Sequence, residues 1–133
     1  SKKSKDIKIN KLASMCFHWK SLRRQVRVIG NVKKVSDEEA DNYYNSRAYK
    51  SRIAAWASTQ SEKMESRDLL SKKIEEFKKK YPDENKIPRP PHWSGWRIFP
   101  HEIEFWLDGE NRVHERLNYK YEGGSWIKEI LYP

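Results

Sequence analysis

Cysteine is nearly absent: the chain holds one, Cys16, in 133 residues. A lone thiol forms no internal disulfide, and the four histidines show no metal-ligand spacing, so no structural zinc site is written into the sequence. Its apolar surroundings suggest a buried, inert thiol. Glycine is scarce, with 5 residues, none in a GxGxxG or GxxxxGK[ST] arrangement, which excludes the common phosphate-cradling loops. No serine has a nucleophile-elbow context, so no Ser/His/Asp triad can be argued. No run of about 18 apolar residues occurs, and no membrane-spanning helix is expected. Cysteine usage and the lack of a signal peptide at the start make a reducing, cytoplasmic setting the expectation. The chain opens Ser1-Lys2-Lys3 without an initiator methionine, like a sequence entered in its middle.

What the chain does have is aromatic mass and positive charge. Aromatics reach 13%, including 6 Trp and 7 Tyr, although the apolar share is only 36%. Disordered chains are poor in aromatics, so a folded domain is expected, and the length fits a single one, 1–133. Lys and Arg total 28 against 19 Asp and Glu, a formal net charge of +9. Such a surface suits a nucleic acid or a phosphorylated small molecule. Lys72, Lys73, Lys78, Lys79 and Lys80 read more simply as the solvated face of a helix. No zinc-finger, helix-turn-helix or RNA-recognition signature supports the nucleic-acid reading.

Residues 1–11 are polar with a weak helical pattern at Ile7 and Ile9. Leu12–Trp19 (LASMCFHW) suits a buried strand, and Gln25–Val35 alternates as a long strand interrupted by Gly30. Ser36-Asp37-Glu38-Glu39 is a capping box that opens a helix to about Ser46 and presents Tyr43 and Tyr44 near its end. A short helix, about Ser51 to Ala57, follows, and a third over about Ser66 to Tyr81 has Leu70, Ile74, Phe77 and Tyr81 on one stripe. Pro82 and the run Ile87-Pro88-Arg89-Pro90-Pro91 stop helix and force an extended connector. Trp96–Phe99, Ile103–Leu107, Arg112–Tyr119 and Trp126–Leu131 then read as strands, with hairpin turns at Asp108-Gly109-Glu110-Asn111 and Glu122-Gly123-Gly124. Two strands, three helices and four strands favour an α+β fold with an antiparallel sheet.

Among polar residues, Arg112, His114 and Arg116 stand out, because period two on a strand puts all three on one face. That pattern is either a solvent-facing strand side or a site for an anion or an electron-rich ring. Gln60, Ser61 and Ser51, around the helix carrying Trp56, are by themselves ordinary turn and cap residues. With no nucleophile and no metal, redox or transfer chemistry on this chain has to come from a cofactor.

The segments FHWKSLRRQVRVIG (17–30), VSDEEADNYYNSR (35–47), SRIAAWASTQS (51–61), PRPPHWSGWRIFP (88–100), IEFWLDGENRVHER (103–116) and GGSWIKEILYP (123–133) together resemble the pyridoxamine 5′-phosphate oxidase family of flavin enzymes. The resemblance runs in register from Ser1 to Pro133. It implies an FMN-binding split β-barrel, α+β and Greek-key-like, that works as a cytoplasmic homodimer with FMN at the subunit interface. About 1–80 would be barrel strands and helices, and 81–133 the strands of the dimer and active-site face. The implied reaction oxidises pyridoxamine or pyridoxine 5′-phosphate to pyridoxal 5′-phosphate, with O2 reduced to H2O2. Lys2 and Lys3 match a basic pair for the FMN phosphate, with Lys2 standing where Arg is more usual. Gln25, Gln60 and Ser61 match further FMN contacts, and Trp106 and Arg116 match residues reaching the flavin from the partner. Tyr43, Arg47 and Ser51 match the cradle of the substrate phosphate, and Arg112 and His114 the pair over the pyridine ring. Val113 replaces a Leu of that motif, while Ala48, Ala54 and Ser94 replace Pro, Gly and Gly. The family's first barrel strands, with their own FMN and phosphate contacts, have no counterpart in these residues. A split-barrel protein that binds FMN or pyridoxal phosphate without turnover is the alternative. A nucleic-acid module is less favoured.

Overall fold

The computed structural model describes all 133 residues, as two compact units. A helical unit comprises Ser1–Asp6 and Lys34–Trp96, and a sheet unit comprises Ile7–Lys33 and Arg97–Pro133. Along the chain the elements are α1 (Lys2–Ile9), β1 (Leu12–Trp19), β2 (Arg24–Lys34), α2 (Asp37–Asn45), α3 (Tyr49–Ala57), α4 (Arg67–Lys80), β3 (Trp96–Leu107), β4 (Glu115–Glu122) and β5 (Ser125–Leu131).

In the helical unit the helices start where their caps dictate. Ser36 Oγ accepts from the Glu39 amide at 3.1 Å, with Asp37, Glu38 and Glu39 in the first turn of α2. Ser66 Oγ accepts from the Leu69 amide at 3.3 Å and starts α4. The core is built of large rings: Tyr44, Ile53 and Ile87 are buried, with Trp56, Ile74, Phe77, Tyr81 and Trp93 packed against them. Three of the polar handles donate to carbonyls, Tyr44 to Arg52 at 3.0 Å, Tyr49 to Tyr81 at 3.1 Å and Trp56 to Pro88 at 2.8 Å. Arg89 ties the proline-rich segment to α2, donating to Asp41 at 2.5 Å and Asp37 at 2.9 Å, and to the Trp93 carbonyl at 2.6 Å.

The sheet unit is an antiparallel sheet in chain order, β1-β2-β3-β4-β5. Trp19 pairs with Arg24 across the first turn, Leu107 with Glu115 and Glu122 with Ser125. The last turn places Gly123 and Gly124 at φ 57° and 87°, the left-handed pair that a tight hairpin requires. Gly30 lies so close to the Phe99 carbonyl that a Cβ would collide with it.

Four expectations change. Leu12–Trp19 is a strand but not a buried one: β1 is an edge strand, and Met15, Phe17 and Trp19 are exposed. Cys16 on it is exposed too, not buried. The two short strands expected over 96–107 are a single strand, β3. Pro100 is accommodated because the ladder to β4 begins only at Glu102, so no amide is needed there on that side. Finally, the expected strand Arg112–Tyr119 starts at Glu115 instead, because Asn111 and Arg112 take left-handed φ of 53° and 65° and interrupt the extended chain.

Candidate functional site

The helical unit contains a cleft of about 840 Å³. Ser1, Lys2, Ser4 and Lys5 line it from the N-terminal segment, Arg47 and Ser51 from the α2–α3 corner, and Ser58, Thr59, Gln60 and Ser61 from the turn after α3. His92, Trp93 and Ser94 also line it, with the apolar Ala54, Ala55 and Trp56 and one acid, Glu62. The lining is therefore cationic and rich in hydroxyls, the donor set that holds a phosphate. The Ser94 Oγ is buried in this wall without a hydrogen-bond partner from the protein. Of the residues singled out from sequence, Lys2, Arg47, Ser51, Gln60 and Ser61 meet here, while Lys3 and Tyr43 are not on the lining.

Tyr43 and Arg47 nevertheless share one partner. Trp93 stacks on Tyr43 with centroids 6.0 Å apart and lies under the Arg47 guanidinium at 5.4 Å. Trp93 is itself anchored through its carbonyl by Arg89. The sequence assigned Trp93 no role, because its place under Arg47 depends on the fold of a segment 46 residues away.

In the sheet unit, period two separates two faces. Ile103, Phe105, Leu117 and Tyr119, with Val26, Trp19 and Trp126, line an apolar groove of about 940 Å³, which Gln25 and Trp106 also line. The other face of β3 and β4 is charged. Trp106 pairs directly with Arg116, and Glu104 with the buried Asn118. Glu104, 6% exposed, receives Arg116 Nε on one carboxylate oxygen at 2.7 Å and Arg27 Nη2 on the other at 2.6 Å. The Arg116 hydrogen bond, outweighing the opposing effect of burial, holds the Glu104 carboxyl below the usual carboxylate range. Arg116 also donates to the Tyr132 carbonyl at 3.0 Å. Glu104 escaped the sequence reading, although an acid in the middle of an otherwise apolar strand was a usable signal.

Arg112, His114 and Arg116 do not share a strand face. Only Arg116 lies in β4; Arg112 is exposed in the left-handed turn before it, and His114 folds back onto the Trp106 ring at 4.8 Å between centroids. His114 Nδ1 lies 3.1 Å from the Asp108 carboxylate. His114 packs on the Trp106 ring, Trp106 pairs with Arg116 across the strands, and the His114 amide donates to the Arg112 carbonyl at 3.0 Å.

Residues 1–81 match the family model described as pyridoxamine 5′-phosphate oxidase, and residues 93–133 match the pyridoxine 5′-phosphate oxidase C-terminal dimerisation region. Pyridoxine/pyridoxamine 5′-phosphate oxidase from Pelagibacter ubique (strain HTCC1062) is 59% identical over 134 residues, covering all of this chain and 64% of that protein. The Rhizobium etli protein of the same name is 52% identical over 135 residues, 65% of its length. The chain therefore spans just under two thirds of the curated relatives it matches. Among solved structures, PhzG from Burkholderia lata 383, in complex with tetrahydrophenazine-1-carboxylic acid, superposes with a TM-score of 0.92 at 28% identity over 100% of this chain and 64% of that one. A pyridoxamine 5′-phosphate oxidase-related, FMN-binding protein from Nostoc punctiforme gives a TM-score of 0.74 at 16% identity, covering 100% of this chain and 69% of its own, a likeness of fold alone. The α+β fold is that of the split-barrel class.

Proposed function

From the premise that the chain belongs to the pyridoxamine 5′-phosphate oxidase family, we propose that it serves an FMN-dependent oxidation of pyridoxamine or pyridoxine 5′-phosphate to pyridoxal 5′-phosphate, with O2 reduced to H2O2. The observation that carries this reading is the helical unit's cleft. Five residues that the family resemblance singles out, spread from Lys2 to Ser61, converge on one cationic, hydroxyl-lined wall. The donor set suits phosphate, and the unpartnered Ser94 Oγ leaves a further hydrogen bond for a ligand to make.

FMN, when bound, supplies the redox chemistry by accepting two electrons from the substrate and giving them to O2. Lys2, Lys3, Gln25, Gln60 and Ser61 are the residues the resemblance assigns to holding it, with Trp106 and Arg116 reaching it from the partner protomer. Arg47 and Ser51, with Tyr43, would bind the substrate phosphate, Arg47 being stiffened by its seat on Trp93. Arg112 and His114 would orient the pyridine ring, and a cation at Arg112 favours electron density that develops on a neighbouring acceptor. The apolar groove of the sheet unit, within which the dimerisation-region residues Phe105, Leu117 and Trp126 lie, supports a homodimer.

The test is an FMN titration followed by turnover with pyridoxamine 5′-phosphate, for the full-length protein that carries these residues and for its Arg112→Ala variant. We expect FMN to bind both, and turnover to fall at least about tenfold in Arg112→Ala, the loss typical of one electrostatic donor or more. FMN binding without turnover in either would favour a split-barrel binding protein, and no FMN binding at all would sink the reading.

A further inference from the structure

β3 ends at Leu107, and the next residue, Asp108, turns its carboxylate between two partners. Arg23, 85 positions earlier, takes Oδ2 with Nε at 2.8 Å and Nη2 at 2.7 Å. His114 takes the other oxygen, with Nδ1 3.1 Å from Oδ1. The backbone repeats the tie, since the Asp108 amide donates to the Arg23 carbonyl at 3.0 Å. The imidazole is thus held at its edge by a carboxylate and on its face by the Trp106 ring, 4.8 Å away and tilted by 43°.

We propose that Asp108, itself fixed by Arg23, is a positioning residue that holds His114 in the Nδ1–H tautomer and leaves Nε2 as the hydrogen-bond acceptor for a donor group of the substrate. The proposal deepens the functional reading above and rests on its assignment of His114 to the substrate.

Two groups compete for the same ring nitrogen, and they demand opposite tautomers. The Asp108 carboxylate needs a proton on Nδ1, because a lone pair there would face its negative charge. The Gly109 amide, 3.2 Å from Nδ1, needs that lone pair and would place the proton on Nε2. A hydrogen bond to an ionised acceptor is about twice as strong as one between neutral groups, so the carboxylate decides. Removing it leaves Gly109 as the partner at Nδ1 and turns the tautomer over.

The experiment labels the histidines of the full chain with 15N and reads tautomers from two-bond proton–nitrogen correlations at a pH where imidazole is neutral. His114→Gln assigns the signal, and unchanged signals from His18, His92 and His101 report that each variant is folded. We expect Nδ1–H at His114 in the wild type and Nε2–H in Asp108→Ala. The same tautomer in the wild type and Asp108→Ala would overturn the proposal, whatever the ligand does. A second arm measures pyridoxal 5′-phosphate affinity, expected to fall about tenfold in Asp108→Ala and in His114→Ala, with the double variant losing little more than either. If the tautomer switches while neither single variant changes that affinity, the assignment of His114 to the substrate fails, and the substrate half of the proposal falls with it.

Discussion

Glu104 concentrates much of the sheet unit's electrostatics on one carboxylate. Both its oxygens are taken by guanidinium groups, Arg116 from the neighbouring strand β4 and Arg27 from β2 on the other side. Glu104→Gln keeps the shape and removes the charge. It is expected to cost about 1–2 kcal/mol at neutral pH, less than for a fully buried pair because both arginines reach solvent. The pH dependence follows from the direction of the shift. A carboxyl whose folded value is depressed contributes stability above its unfolded value, near pH 4.3, and loses it as pH falls through the lower folded value. Urea unfolding of wild type and Glu104→Gln should therefore differ at pH 7 and converge in strong acid. An equal gap at both would refute the clamp. Arg89 plays a comparable part in the helical unit, where one guanidinium bridges Asp37, Asp41 and the Trp93 carbonyl.

Helix starts and strand contacts separate local from non-local control at the scale of the element. Ser66 acts within its own first turn, so Ser66→Ala should cost about 1 kcal/mol, the usual loss of an N-cap. Gly30 acts across strands: any Cβ there meets the backbone carbonyl of Phe99 and the Ile98 side chain, and backbone cannot rotate aside as a side chain can. Gly30→Ala should cost more, about 2–3 kcal/mol, as overpacking does. Thermal or chemical unfolding of the two variants checks the order, and a Gly30→Ala protein as stable as Ser66→Ala would contradict the close approach. The caps, the α4 stripe and the Gly-Gly hairpin were legible because each depends on residues within a few positions of one another. Arg112 was misplaced for the converse reason. Alternation suggested a strand, but the left-handed turn at Asn111 and Arg112 and the Asp108 carboxylate pull 112–114 out of it.

At the scale of the whole molecule the apolar groove carries the main expectation. Phe105 is 44% exposed, Trp126 42% and Leu117 36%, and they adjoin the exposed Trp19. Monomeric proteins rarely leave so continuous an apolar face in water. Sedimentation at micromolar concentration should find a dimer, and Leu117→Asp should shift it towards monomer by placing a charge in that face. A monomeric wild type would overturn the dimer reading.

The sequence by itself determined the kinds of element and their order, the caps, the turns and the motifs that mark the family, because these rest on periodicity and on neighbours along the chain. It also named Lys2, Arg47, Ser51, Gln60 and Ser61, which converge on one cleft. Tertiary structure alone decided that β1 and Cys16 are exposed, that Trp93 lies under Arg47, that Glu104 joins Arg27 to Arg116, and that Asp108 reaches both Arg23 and His114. Most of these join strands or segments far apart in sequence, and burial depends on what lies over a strand. Residue type sets what a side chain can bind, and only the folded chain sets what comes within reach of it.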